Sequence, residues 1–277
     1  MSNLKMTVKN VLLDAVLTTS PPAVATLPAD FLKNIEQSEV MRTTGTSITI
    51  SGSFAQAVAV DNLVLSKYSL SNTATLQLIL KQGEQIYYDS GEISVANKSN
   101  LLPLGAWRAG IDAFGVSPEL PGIAKSFTHS FSVYYIDSFE LVINDPDNPA
   151  GWFDIWHMML GLSITVSKNF AWGSTLEWVD NTTHEEADDG TLRSLVGGLR
   201  RKLTLDLNYL NNIDRARTES DFVLTGKGEP LAISAYPDVD FQHISQVTTF
   251  IAKRGLNAKY THNHYNNHKQ QLIFLEC

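Results

Sequence analysis

Three histidines near the C-terminal end, His262, His264 and His268, are the side chains in this sequence best suited to metal chemistry. On a strand, His262 and His264 share a face, and with His268 they offer imidazole nitrogens to Zn²⁺ or Ni²⁺. Interleaved with Asn263, Asn266 and Asn267, the same residues suit the tip of a polar hairpin. The segment Asp145-Pro146-Asp147-Asn148-Pro149, with Asp154 nearby, groups hard oxygen ligands of the kind Ca²⁺ takes. It also has the composition of an Asx- and Pro-stabilised turn between strands, which is the simpler reading. Trp107, Trp152 and Trp156, together with Phe153 and Trp172, offer flat apolar faces for sugar rings, or fill a core between sheets. Glu185 and Asp188 form a carboxylate pair of glycosidase type, but beside Asp189 and Gly190 they read as a solvated loop.

Other catalytic signatures are missing from the sequence. It contains no GxSxG elbow, no GxxxxGK[ST] loop, no HExxH and no CxxC. The single cysteine, Cys277, is the last residue, a position poorly suited to hold a nucleophile in fixed geometry. No catalytic residue and no cofactor site is nominated, and the chain is expected not to be an enzyme.

Composition narrows the classes further. Among 277 residues, 43% are hydrophobic and 18% charged, enough apolar material for globular cores and long enough for two domains of moderate size. The net charge of −8 argues against a nucleic-acid groove, and the one dense basic run, Arg200-Arg201-Lys202, reads as a strand end. With one cysteine there is no internal disulfide, so the fold needs no oxidising compartment. Residues Met1 to Val11 lack the apolar core of a signal peptide. The longest apolar stretch, Trp152 to Val166, is broken by Asp154, His157 and Gly161, so no membrane insertion is expected.

The elements that must carry these residues are mostly strands. Residues 1–40, with Pro21, Pro22 and Pro28, read as an extended N-terminal arm. From Arg42 the pattern turns to period two: Thr46 to Phe54, Ala57 to Leu65, Ala74 to Leu80, Gln85 to Gly91, Phe127 to Tyr135, Ser138 to Ile143, Ile155 to Met159 and Ser163 to Val166. Short strands with turn signals at this spacing predict a β-sandwich or jelly roll over 41–167, with Leu101 to Pro121 as a long loop. Residues 168–277 predict a smaller β-rich domain. It has strands near 174–186, 201–210, 229–236 and 270–276, and one helix over 213–225 capped by Asn212 and ended by Gly226.

The order of several motifs resembles a known group. Val60-Asp61-Asn62-Leu63-Val64-Leu65, then Ala74-Thr75-Leu76-Gln77-Leu78, then Tyr87-Tyr88-Asp89-Ser90-Gly91 is similar to the galactose-binding-like jelly rolls of long-tailed bacteriophage tails. The stretch Phe139 to Ile155, with its Asp-Pro-Asp-Asn-Pro turn and Gly151, resembles a strand–turn–strand of the same group. Arg193 to Gly198 and Gly226 to Leu231 look like its second half. The resemblance implies a structural component of a tail tip or baseplate, made in the host bacterial cytoplasm and carried in the virion. It further implies copies set in a threefold or sixfold ring, linking tail tube to hub or fibres, with the second domain as the assembly interface. Asp61 stands where many relatives carry His, which weakens any sugar site at that position. The rival expectation is a carbohydrate-binding module that meets host glycans through Trp107, Trp152 or Trp156.

Overall fold

The computed structural model describes residues 3–95, 125–186, 188–237, 245 and 247–277. The expected loop Leu101 to Pro121, and Trp107 with it, lies outside them. In chain order the strands are β1 (Lys5–Thr7), β2 (Val16–Ser20), β3 (Met41–Arg42), β4 (Ser47–Tyr68), β5 (Thr75–Gln82), β6 (Gln85–Asp89), β7 (Ile93–Ser94), β8 (Ser126–Asn144) and β9 (Asp154–Gly161). There follow β10 (Ser163–Thr165), β11 (Thr175–Asp180), β12 (Thr183–Glu186), β13 (Leu192–Leu195), β14 (Leu199–Leu210), helix α1 (Asn212–Thr225), β15 (Leu231–Ser234), β16 (Thr249–Arg254), β17 (Thr261–His264) and β18 (Asn267–Glu276). The fold is mainly β with a sandwich unit, as the period-two pattern predicts.

The chain divides into two compact units. Unit 1 comprises Met1–Thr165 and Leu231–Ile251, and unit 2 comprises Val166–Pro230 and Ala252–Cys277. The break after Thr165 falls two residues before the division expected at 167. The return of 231–251 to unit 1 was not expected.

In unit 1 one sheet runs β3-β9-β4-β8-β5-β6, with β2 on β4 and β7 on β5. Its spine is the antiparallel pair β4 and β8, from Ser47↔Asn144 to Ser66↔Ser126. The sequence suggests two strands at each place, but each is one strand, and their pairing shifts register at β4 residues between Ser53 and Val58 and between Val60 and Asn62. Both halves of β4 line a single core: Ile48 and Ile50 from the first, Val60, Leu63 and Leu65 from the second. Burying each such side chain contributes about 1.5–3 kcal/mol. The ring of Phe139 lies where any side chain on Gly52 would project, so Gly52 is required by close packing. From Asn62 to Ser66 every residue of β4 is buried, so alternation fails there; that segment is flanked by β8 and β9 and covered on both faces.

Residues 1–40 are not an extended arm. Within unit 1, β1 pairs with both β10 and β15, setting Met6 opposite Ile164 and Ile233. The strand β2 pairs with β4, and Leu4, Met6, Leu12 and Leu32 are buried. Apolar side chains at positions 4, 6 and 8 supply the alternation that draws this segment into the sheet.

The motifs that carry the resemblance are turns and caps. Asn62 is buried and meets three hydroxyls: it donates to Thr7 at 3.0 Å and accepts from Thr128 at 3.2 Å and Ser130 at 2.8 Å. Asp61 accepts from the backbone N–H of Ser163 at 2.6 Å and its hydroxyl at 2.8 Å. Asp89 accepts from Gly91, and the hydroxyl of Ser90 accepts from the Leu78 N–H, closing the turn at Gly91, whose φ is +61°. The buried Asp145 accepts from the N–H and hydroxyl of Ser71 and from Asn148.

Unit 2 is built on β18, β14 and β11, with β17 and the last residues of β16, Ala252 to Arg254, on β18. Strand β14 buries Arg201, Leu203, Leu205, Leu207 and Leu210. Helix α1 begins one residue earlier than expected, with Asn211 accepting from the Asp214 N–H at 2.7 Å, and ends at Gly226 at φ +63°. Arg254 from β16 donates to the carbonyls of Phe222 and Gly226 and lies 4.5 Å over the Phe222 ring, a cation at the helix C-terminus. Arg201 and Glu276 form a buried bidentate ion pair, with N–O distances of 2.9 and 2.6 Å.

Candidate interaction surface

The feature of unit 2 that packing does not account for is the hairpin of β12 and β13. Its register runs from Thr183↔Leu195 to Glu186↔Leu192, and it forms its own two-stranded sheet. All eight strand residues are exposed. A hairpin of two strands is only marginally stable alone in water. Its ends are fixed by short polar bonds: Asp189 accepts from Thr191 at 2.9 Å beside Gly190 at φ +79°, and Thr182 accepts from the Gly197 N–H at 3.2 Å. Yet Leu192, Leu195 and Val196 are 63, 73 and 82% exposed. Helix α1 adds exposed Ile213, Val223 and Leu224; its buried residues are Asp214, Thr218 and Phe222. These exposed apolar side chains are the candidate contact surface of unit 2.

A second feature is an open surface pocket of about 450 Å³ on the sheet that holds β14, β17 and β18. Asp206 and Asn208 of β14, Thr261 of β17, Lys269 of β18 and the loop residues Asn257 and Lys259 line it. The register opens between Leu207 and Leu210 of β14, at Asn208. Sequence reasoning missed this site, because its members are simply the polar half of alternating strands. The cross-strand pairs Asp206↔Gln271 and Thr261↔Lys269 bring them together.

The histidines do not converge as a set. His262 and His268 are cross-strand partners with ring centroids 4.8 Å apart, but the register shifts before His264, which pairs with Asn267 beyond the bulge. His268 is buried; its Nε2 lies 2.9 Å from Asn212 Oδ1 and its Nδ1 lies 3.5 Å from Arg215. Burial, then Arg215 and His262, hold it below the ordinary histidine range. Among the described residues no group of three or more His, Cys, Asp or Glu is placed to hold a metal ion.

Among the described residues of unit 1, Trp152 and Trp156 are not paired into a sugar-stacking platform. The guanidinium of Arg42 covers the Trp152 ring at 3.7 Å while binding Asp154 through two nitrogens at 2.8 and 2.9 Å. Trp156 is half-buried on β9, and Trp172 is fully exposed in unit 2. Asp145 and Asp154 are both committed to internal bonds. The aromatic group that does form was not anticipated. Tyr88 stacks on Phe131 at 5.1 Å and meets Tyr134 at 5.4 Å, and its hydroxyl lies 2.8 Å from His129 Nε2. These rings face one another at the margin of the unit 1 core, and burial lowers the pKa of His129.

No protein-family model matches the chain, and no curated relative was found. Solved structures that match include the family 32 CBM of NanJ from C. perfringens in complex with galactose, at 10% identity over 56% of this chain and 98% of that one, TM-score 0.38. Another is the Clostridium perfringens module CpGH89CBM32-5 in complex with GalNAc-β-1,3-galactose, at 10% identity over 55 and 97%, TM-score 0.37. A third is chitosan-binding module 1 from a chitosanase/glucanase of Paenibacillus sp. IK-5, at 10% identity over 55 and 98%, TM-score 0.36. All three are carbohydrate-binding modules by name; their ligands are stated of those proteins.

Proposed function

We propose that this chain is a non-enzymatic structural subunit that assembles with copies of itself, as a component of a bacteriophage tail tip or baseplate. The observation that carries the assembly reading is the exposed hairpin β12–β13. It presents Leu192 and Leu195 on an unsupported ribbon, followed at once by Val196. The tail setting, and a ring of copies between tail tube and hub or fibres, is supported by the order of the sequence motifs alone. Sedimentation velocity on the full chain, against a variant carrying Leu192→Ser, Leu195→Ser and Val196→Ser, tests the assembly. The unaltered chain should sediment as a multimer at about 100 μM, and the variant as a monomer with the same far-ultraviolet dichroism. A monomer for both overturns the reading.

The second reading is a carbohydrate-binding role at the host surface. What favours it is the open pocket of unit 2, whose amide, hydroxyl, carboxylate and ammonium groups beside Leu256 suit a hydroxyl-rich ligand.

A further inference from the structure

We propose that the open cavity on the unit 2 sheet binds an acidic sugar, a uronate residue of a surface polysaccharide; this rests on the carbohydrate reading and gives it a site and a ligand class. Two ammonium groups, Lys259 and Lys269, line the cavity, and neither makes an ion pair among the described residues. The one carboxylate of the lining, Asp206, already accepts from the Gln271 amide at 3.0 Å. With two ammonium groups against one carboxylate, the lining is net positive by one charge in a chain whose net charge is −8. Asn208, Asn257 and Thr261 keep their side-chain donors and acceptors unused among the described residues.

That combination selects among ligands. A plain inorganic anion would use the lysines and leave two amides and a hydroxyl to water. A neutral sugar would use the amides and the hydroxyl and leave the net positive charge of the lining unmatched. A uronate places one carboxylate among several hydroxyls on a single ring, and so meets both sets together. Leu256 adds an apolar wall against which the C–H face of a ring can lie. About 450 Å³ falls within the range of small-molecule sites and gives room for one or two sugar rings.

The test is calorimetric titration of the full chain with digalacturonate, with lactose as a neutral disaccharide and with sodium sulfate, at constant ionic strength. Digalacturonate should bind saturably and at least about tenfold more tightly than either control, and the double variant Lys259→Gln, Lys269→Gln should lose about tenfold in affinity at an unchanged urea midpoint. Sulfate matching the uronate, or lactose matching it, overturns the proposal. Uronate binding that ignores the double variant removes this site while leaving the carbohydrate reading standing. Silence toward both sugars removes both.

Discussion

The two units differ in how far their apolar side chains close into a core, though unit 1 too leaves Val16, Ile86, Val133 and Tyr135 exposed. In unit 1, Ile48, Ile50, Leu63, Leu65, Phe139 and Leu141 close into one core, with both halves of the long strand β4 reaching it. In unit 2, β14, β18 and the Phe222 side of α1 form a modest core, while Leu192, Leu195, Val196, Val223 and Leu224 stand in solvent. The polar residues differ in parallel. Unit 1 uses Asn62, Asp145 and Asp154 to fasten its own turns and strands, whereas unit 2 leaves Lys259, Asn257 and Thr261 around an open cavity. The assembly proposed above would account for the apolar side chains that unit 2 leaves exposed.

Mutation can break this contrast most forcefully through the cores. Phe139→Ala removes the ring packed on Gly52 and should lower unfolding free energy by about 3–5 kcal/mol, read from the urea transition of unit 1. Arg201→Met leaves Glu276 buried without its cation and should cost about 3–5 kcal/mol in the transition of unit 2. Asn62→Ala leaves the hydroxyls of Thr7, Thr128 and Ser130 without a shared partner and should cost about 1–3 kcal/mol. The hairpin variants at Leu192, Leu195 and Val196 should fall within about 0.5 kcal/mol of the unaltered chain, since those side chains are already in water.

The smallest effect is a dependence on pH. His268 is held below its usual value by burial, with Arg215 and His262 adding to the effect, and His129 by burial and by Lys5. Each is favoured as the neutral ring in the fold and protonates more readily when unfolded. The unfolded chain therefore takes up more protons as pH falls below about 6.5, and stability declines from there toward acid. His268→Gln should flatten that decline in unit 2, and His129→Gln in unit 1. Denaturation midpoints collected between pH 7.5 and 5 would show an unchanged slope if these rings do not titrate this way.

Much of the sandwich was legible because period-two alternation and turn chemistry are local. Asp89-Ser90-Gly91 and Asp145 to Gly151 close turns with bonds to near neighbours, so the motifs carry their own explanation. Segment 1–40 was misread because Leu4, Met6 and Val8 alternate over too few residues to outweigh three prolines, and only pairing with β10 and β15 gives the alternation meaning. The return of 231–251 to unit 1 rests on the β1–β15 pairing, which is likewise non-local. The candidate sites fared worse for a related reason. His262, His264 and His268 are close in sequence, but a bulge in the hairpin separates what spacing suggests should meet. The cavity draws its members from β14, β17, β18 and the preceding loop, where no spacing rule applies.

Hydrogen exchange measured at several protein concentrations tests the central claim most directly. If copies of the chain cover the hairpin, amide protection across Thr183–Glu186 and Leu192–Leu195 will rise with concentration while the β4–β8 ladder of unit 1 stays constant. Hairpin amides that exchange at one fast rate from about 1 to 200 μM would contradict it.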